Sequence, residues 1–132
     1  MGVPPYSARG LSEKLSPVPA SQQLRRTING NLVDFSSEQF RKFQVSISGS
    51  DQDPPALNAV WPGTELVVDC ISEIAYESST GGPDRQEVAG SIREADSFTY
   101  YRPQLTMKVV NFQLDKDEYG AQISWTLDLE EK

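Results

Sequence analysis

The chain has 132 residues, a formal charge of −7, 37% hydrophobic residues, a single cysteine and no histidine. That length fits one domain with a core large enough to stand without disulfides or metal, and Cys70 has no second cysteine to pair with inside the chain. Without His, the Ser-His-Asp, Cys-His and zinc–histidine chemistries are excluded, so catalysis would have to rest on carboxylates, Lys or Tyr.

Residues 1–20 hold four of the nine prolines, at positions 4, 5, 17 and 19. Proline fixes φ, removes a donor and biases its predecessor to extended conformations, so this stretch reads as an extended arm that contacts another chain. Residues 21–132 read as a single β-domain. Segments 24–28 and 31–35 flank Asn29-Gly30, whose tolerance of positive φ predicts a hairpin with a type I′ turn. Ser36, Ser37 and Glu38 are able to cap one short helical turn. Phe43, Val45 and Ile47 then alternate with polar residues, the period of a half-buried strand. Residues 49–63 form a turn-rich loop ending in Trp61-Pro62-Gly63.

Segment 64–76 is the most apolar strand candidate. Leu66, Val68, Cys70, Ile74 and Tyr76 share one face, with Val67 and Ile71 on the other, which predicts a strand that is central or covered on both sides. Residues 77–97 are poor in apolar side chains and read as a long polar excursion. A terminal hairpin follows. Leu105, Met107 and Val109 alternate outward, 115–120 turn, and Ile123, Trp125, Leu127 and Leu129 alternate back. Six or seven strands with no convincing helix give an all-β fold, a small antiparallel sandwich or barrel.

The candidate chemistry is sparse. Asp115, Asp117 and Gly120 occupy the first, third and sixth places of an EF-hand loop, but Tyr119 and Thr126 stand at the fifth and twelfth, and strands flank it, so an acidic hairpin tip is expected and no cofactor or metal. Asp69 and Glu73, at i and i+4 of a strand, are the best-placed carboxylate pair for a carboxylate-only hydrolase, with a solvated face as the alternative. Cys70 is expected as a buried structural thiol. Arg25-Arg26 and Arg41-Lys42 are the basic doublets, each split across two faces by strand alternation.

Charge is unevenly placed, +3 over residues 1–50 and −10 over 51–132. Such polarity fits either a solvated acidic surface or contact between copies, and it argues against sequence-specific nucleic-acid binding. No run reaches the ~18–20 apolar residues of a membrane span, and the N-terminal text lacks a signal-peptide pattern, so a cytoplasmic origin without a membrane partner is expected. Candidate partner-binding residues are Val3, Tyr6, Leu11 and Leu15 of the arm, Arg25 and Arg26, Trp61, and Tyr101. The last belongs to an aromatic doublet with Tyr100, of which one member should be exposed.

The text VPPYSARGL at 3–11, RRTINGNLVDFS at 25–36, DPPALNAVWPG at 53–63, YRPQLTMKV at 101–109 and WTLDLEE at 125–131 resembles the small accessory structural proteins of tailed bacteriophage virions. The resemblance implies a repeated, non-enzymatic role in the virion, at the head–tail junction or tail. Capsid cement or decoration, or a host-directed protein- or glycan-binding module, are the alternatives. It also implies partnership with copies of itself in a symmetric oligomer and with other virion proteins. No family residue is carried over.

Overall fold

A computed structural model of the chain describes residues 10–18, 24–34, 41–58, 60–120 and 122–132. The fold is all-β, with eleven strands and no helix among the described residues. In chain order these are β1 (Ser12–Pro17), β2 (Leu24–Arg26), β3 (Leu32–Asp34), β4 (Phe43–Asp51), β5 (Glu65–Asp69), β6 (Ile74–Glu77), β7 (Gln86–Glu87), β8 (Arg93–Ala95), β9 (Phe98–Tyr101), β10 (Pro103–Lys116) and β11 (Ile123–Glu131). The main sheet runs β1-β4-β11-β10-β5, every pair antiparallel, with β7 also paired to β10, and it curls into a half-barrel.

Alternation along these strands builds the core. Leu15, Val45, Leu129 and Val109 lie in register across four strands, and Met107 with Leu105 continues the row onto Leu66 and Val68 of β5. Val45, Leu105, Met107, Val109 and Leu129 form one buried cluster with Trp125, Leu127 and Cys70, against which Leu15, Phe43, Ile47, Leu66, Val68 and Phe112 pack. Leu57 and Val60, from the loop after β4, join the same cluster. Ile123, Trp125, Leu127 and Leu129 all face the core, as their period-two spacing predicts.

A β-bulge at Val110 offsets the β10–β11 register between Val109 and Asn111. One extra residue reverses the facing of everything beyond it. Odd-numbered residues face inward before the bulge, and Phe112 and Leu114, opposite Leu127 and Trp125, take over after it. Gly49 stands opposite Trp125, and a Cβ built there would sit 3.0 Å from the indole ring. The ring therefore occupies the space a side chain at 49 would need.

Several expectations change. Segment 64–76 is neither central nor one continuous strand: β5 is a border strand that ends at Asp69, and β6 belongs to another sheet. Val67 and Ile71 are accordingly exposed. Centrality goes instead to β11 and β10, whose inward residues are uniformly apolar. Residues 77–97 are not a plain excursion, because they contain β7 and β8, and β6-β9-β8 form a three-stranded sheet. The β8–β9 turn places Asp96 and Ser97 at positive φ, the type I′ geometry without the glycine that would have announced it.

The β2–β3 hairpin forms, with Leu24 opposite Asp34 and Arg26 opposite Leu32, but not through a type I′ turn. Gly30 N–H donates to Thr27 C=O, Thr27 N–H donates to Asn31 C=O, and only Gly30 has positive φ. This is a type I turn followed by a glycine bulge, the usual three-residue solution. The helical turn expected near Ser36 lies outside the described residues. The sheet also starts inside the segment read as an arm, since β1 pairs along its whole length with β4 of its own chain.

β1 and β5 border opposite sides of the sheet, yet the curl brings one side back toward the other. Glu13 of β1 accepts hydrogen bonds from the backbone N–H groups of Ile71 (3.0 Å) and Ser72 (3.3 Å), just past β5. A second tie holds the N-terminal end of β4. Arg85 donates from Nε (2.8 Å) and Nη2 (3.2 Å) to the Glu131 carboxylate and from Nη2 to Arg41 C=O, while its guanidinium lies 5.2 Å from the Phe43 ring centroid.

Candidate interaction surface

Trp61-Pro62-Gly63-Thr64 is a tight turn. Thr64 N–H donates to Trp61 C=O, with proline at the second position and Gly63 at φ +96° at the third, which makes it type II. Gly63 N–H donates to Val109 C=O and Val109 N–H donates to Thr64 C=O, so the turn is pinned to β10 beside the bulge. This anchoring sets Trp61 edge-on to Phe112, with ring centroids 6.3 Å apart. Trp61 is nonetheless 71% exposed, and Leu114, on the same face two residues beyond Phe112, is exposed too. Tyr119 stands almost fully in solvent at the hairpin tip, beside Asp115, Asp117 and Glu118. The result is an aromatic and aliphatic patch ending in an acidic rim.

The β2–β3 hairpin is the second apolar surface. Among the described residues its strands pair only with each other, and Leu24, Ile28 and Leu32 are all exposed, Ile28 completely. Leu24, Arg26 and Leu32 share one face by register and alternation, with Arg25 and Val33 on the other. Arg26 donates to Gly30 C=O (3.0 Å), which fastens its guanidinium to the turn.

Of the residues read as partner-binding, Trp61, Arg25, Arg26 and Leu11 are exposed. Leu15 packs against the protein's own core, and Val3 and Tyr6 lie outside the described residues. Tyr101 requires correction: it is 2% exposed, because its alternation places it inward against Tyr76, at 6.0 Å between ring centroids. Burial raises its phenol pKa, partly offset by the backbone N–H groups of Arg85 and Asp84. The half-buried member of the doublet is Tyr100, with Arg93 4.2 Å above its ring. Sequence reading missed Leu24, Ile28, Leu32 and Leu114 as exposed residues. Their apolar character signalled burial, but the β2–β3 hairpin stands apart from the main sheet, and Leu114, although past the bulge it takes the core-facing side with Phe112, stays exposed.

The inward chemistry is quiet. Cys70 is fully buried, and desolvation, with the charge and hydrogen bond of Glu13 and the charges of Asp69 and Glu131, pushes its thiol up to about 12. A thiol so held is not a nucleophile near neutral pH. Asp69 accepts from Gln104 Nε2 (2.8 Å) and Glu73 pairs with Arg93 (3.3 Å), so the two carboxylates serve separate contacts and not one site. Among the described residues no three His, Cys, Asp or Glu side chains converge to hold a metal ion. Two open depressions are lined mainly by polar and charged side chains. One, of about 570 Å³, lies at the β10–β11 turn around Asp115, Asp117 and Gln122. The other, of about 360 Å³, lies on the outer sheet face around Lys14, Gln44, Val110 and Asp128.

No protein-family model, no curated protein and no solved structure matches this chain.

Proposed function

We propose that the protein is a non-enzymatic structural component of a tailed-phage virion, placed at the head–tail junction or tail, working through contacts with copies of itself and other virion proteins. The observation that carries the reading is the β2–β3 hairpin, a two-stranded sheet with three exposed aliphatic side chains and no further strand partner among the described residues. An isolated hairpin is at best marginally stable in water, so one that displays Leu24, Ile28 and Leu32 gains most from being held by a neighbouring surface. The acidic balance keeps a protein with such apolar surface soluble before assembly. The resemblance of the sequence to accessory virion proteins supplies the setting.

Quantitative mass spectrometry of purified particles tests this. Expected is the chain at a fixed multiple-copy ratio to the major tail or head protein, and loss of joined particles when it is deleted. A chain absent from particles, or one with measurable turnover as a monomer, overturns the reading. A host-directed binding module is the second reading, favoured by the exposure of Trp61, since exposed indoles stack on sugars and anchor in protein pockets. Particles that assemble normally but fail to adsorb when Trp61 is replaced would favour it.

A further inference from the structure

We infer that the β2–β3 hairpin of one copy docks on the Trp61–Phe112–Leu114 patch of the next, in a head-to-tail contact between identical chains. This inference rests on the assembly reading above and names the contacting surfaces. Both present exposed apolar side chains, Leu24, Ile28 and Leu32 on the hairpin and Trp61 and Leu114 beside the half-buried Phe112, and their net charges are opposite. Residues 24–34 carry Arg25 and Arg26 against one acid, Asp34, which lies opposite Leu24, a net charge of +1. The patch ends at Asp115, Asp117 and Glu118, against which Lys116 is the lone cation of residues 115–120. Ile28, at the hairpin turn, is the most exposed aliphatic side chain described, and Trp61 over Phe112 offers a rigid aromatic surface for it.

Like surfaces do not fit each other here. A hairpin-to-hairpin contact would bring two net-positive surfaces together, and a patch-to-patch contact two net-negative tips, so charge favours the pairing of hairpin with patch over a two-fold dimer of either. The complementary pairing is heterologous, which closes into a ring if the rotation allows and otherwise propagates. The apolar residues hold the contact and the Arg–carboxylate pairs at its rim orient it.

The heterologous geometry gives a specific test by light scattering and sedimentation of the full chain. Wild type should form oligomers beyond the dimer as concentration rises. Ile28→Asp and Trp61→Asp change exposed side chains outside the buried cluster, and each alone should be monomeric, its dissociation constant raised at least about tenfold. Mixed in equal amounts, the two variants should form a complex of two chains and stop there, because one intact hairpin and one intact patch remain between them. Should Trp61→Asp fail to fold by circular dichroism, Leu114→Asp replaces it. A mixture that stays monomeric, a variant that assembles as wild type does, or a wild type monomeric at about 1 mM overturns the pairing. Particles that contain the chain but tolerate both substitutions overturn this pairing alone, whereas particles that lack the chain overturn the assembly reading itself.

Discussion

Glu13 stands on one border strand of the main sheet and Ile71 just past the opposite one, and a carboxylate–amide hydrogen bond of 3.0 Å joins them. With the second bond to Ser72 N–H, one side chain clasps the open side of a half-barrel that no backbone ladder closes. Glu13 shares the inward face of β1 with Leu15, two residues on, so the strand that covers the core also delivers the clasp.

Replacing Glu13 by Ala should remove both bonds and leave two amides near the Cys70 corner without that acceptor. A hydrogen bond to a charged group contributes about 1.5–3 kcal/mol, so urea unfolding should show a loss of that order. Glu13→Gln should recover part of it, because its amide oxygen still accepts. Equal stability of Glu13→Ala and wild type would show that the clasp carries no energy.

Trp125 is buried and lies against Gly49, which makes the two positions interdependent. Trp125→Ala should cost about 3–5 kcal/mol, the range for a buried large aromatic. Gly49→Val should also destabilise the wild type, by forcing the indole aside. In the Trp125→Ala background the same change should cost less or even stabilise, since the space is then vacant. A double-mutant cycle from chemical denaturation measures that coupling, and strict additivity would refute it.

Arg85 is the single cation on the Glu131 carboxylate within salt-bridge distance among the described residues, and the side chains are 23% and 11% exposed. Arg85→Ala leaves Glu131 with the Phe43 N–H as its described donor and removes the guanidinium bond to the Arg41 carbonyl. The expected loss is about 2 kcal/mol, depending only weakly on salt because the pair is mostly shielded. Arg93–Glu73, exposed on both sides, should by contrast contribute under about 1 kcal/mol. Comparable losses from the two arginine deletions would contradict this ranking.

The raised thiol pKa of Cys70 ties stability to alkaline pH. The folded thiol titrates near about 12 against a reference of 9.0, so the folded state holds its proton after the unfolded chain has lost it. Its contribution is complete below pH 9 and is lost as pH rises from there toward 12. Thermal melts should show a steeper alkaline decline for wild type than for Cys70→Ala. Under native conditions at pH 8, a thiol reagent should label Cys70 only at the rate of unfolding; fast labelling would place the thiol at the surface.

Period-two alternation made the inward rows at Phe43, Val45 and Ile47 and at Ile123, Trp125, Leu127 and Leu129 legible in the sequence, because a strand with one buried face must place its apolar residues on it. The lack of histidine and the single buried cysteine were equally local facts, and they removed whole classes of chemistry. Pairing was not local. Whether 64–76 was one central strand or two border strands depended on which partners lay beside it, and apolar content does not encode the partner. The positions of Trp61, Phe112 and Leu114 depended on a one-residue bulge at Val110 and on a turn pinned to β10. The exposure of Leu24, Ile28 and Leu32 depended on their hairpin remaining outside the curled sheet. Burial is decided by which surfaces meet across the chain, so the candidate interface took shape only once the sheet had closed on its own core.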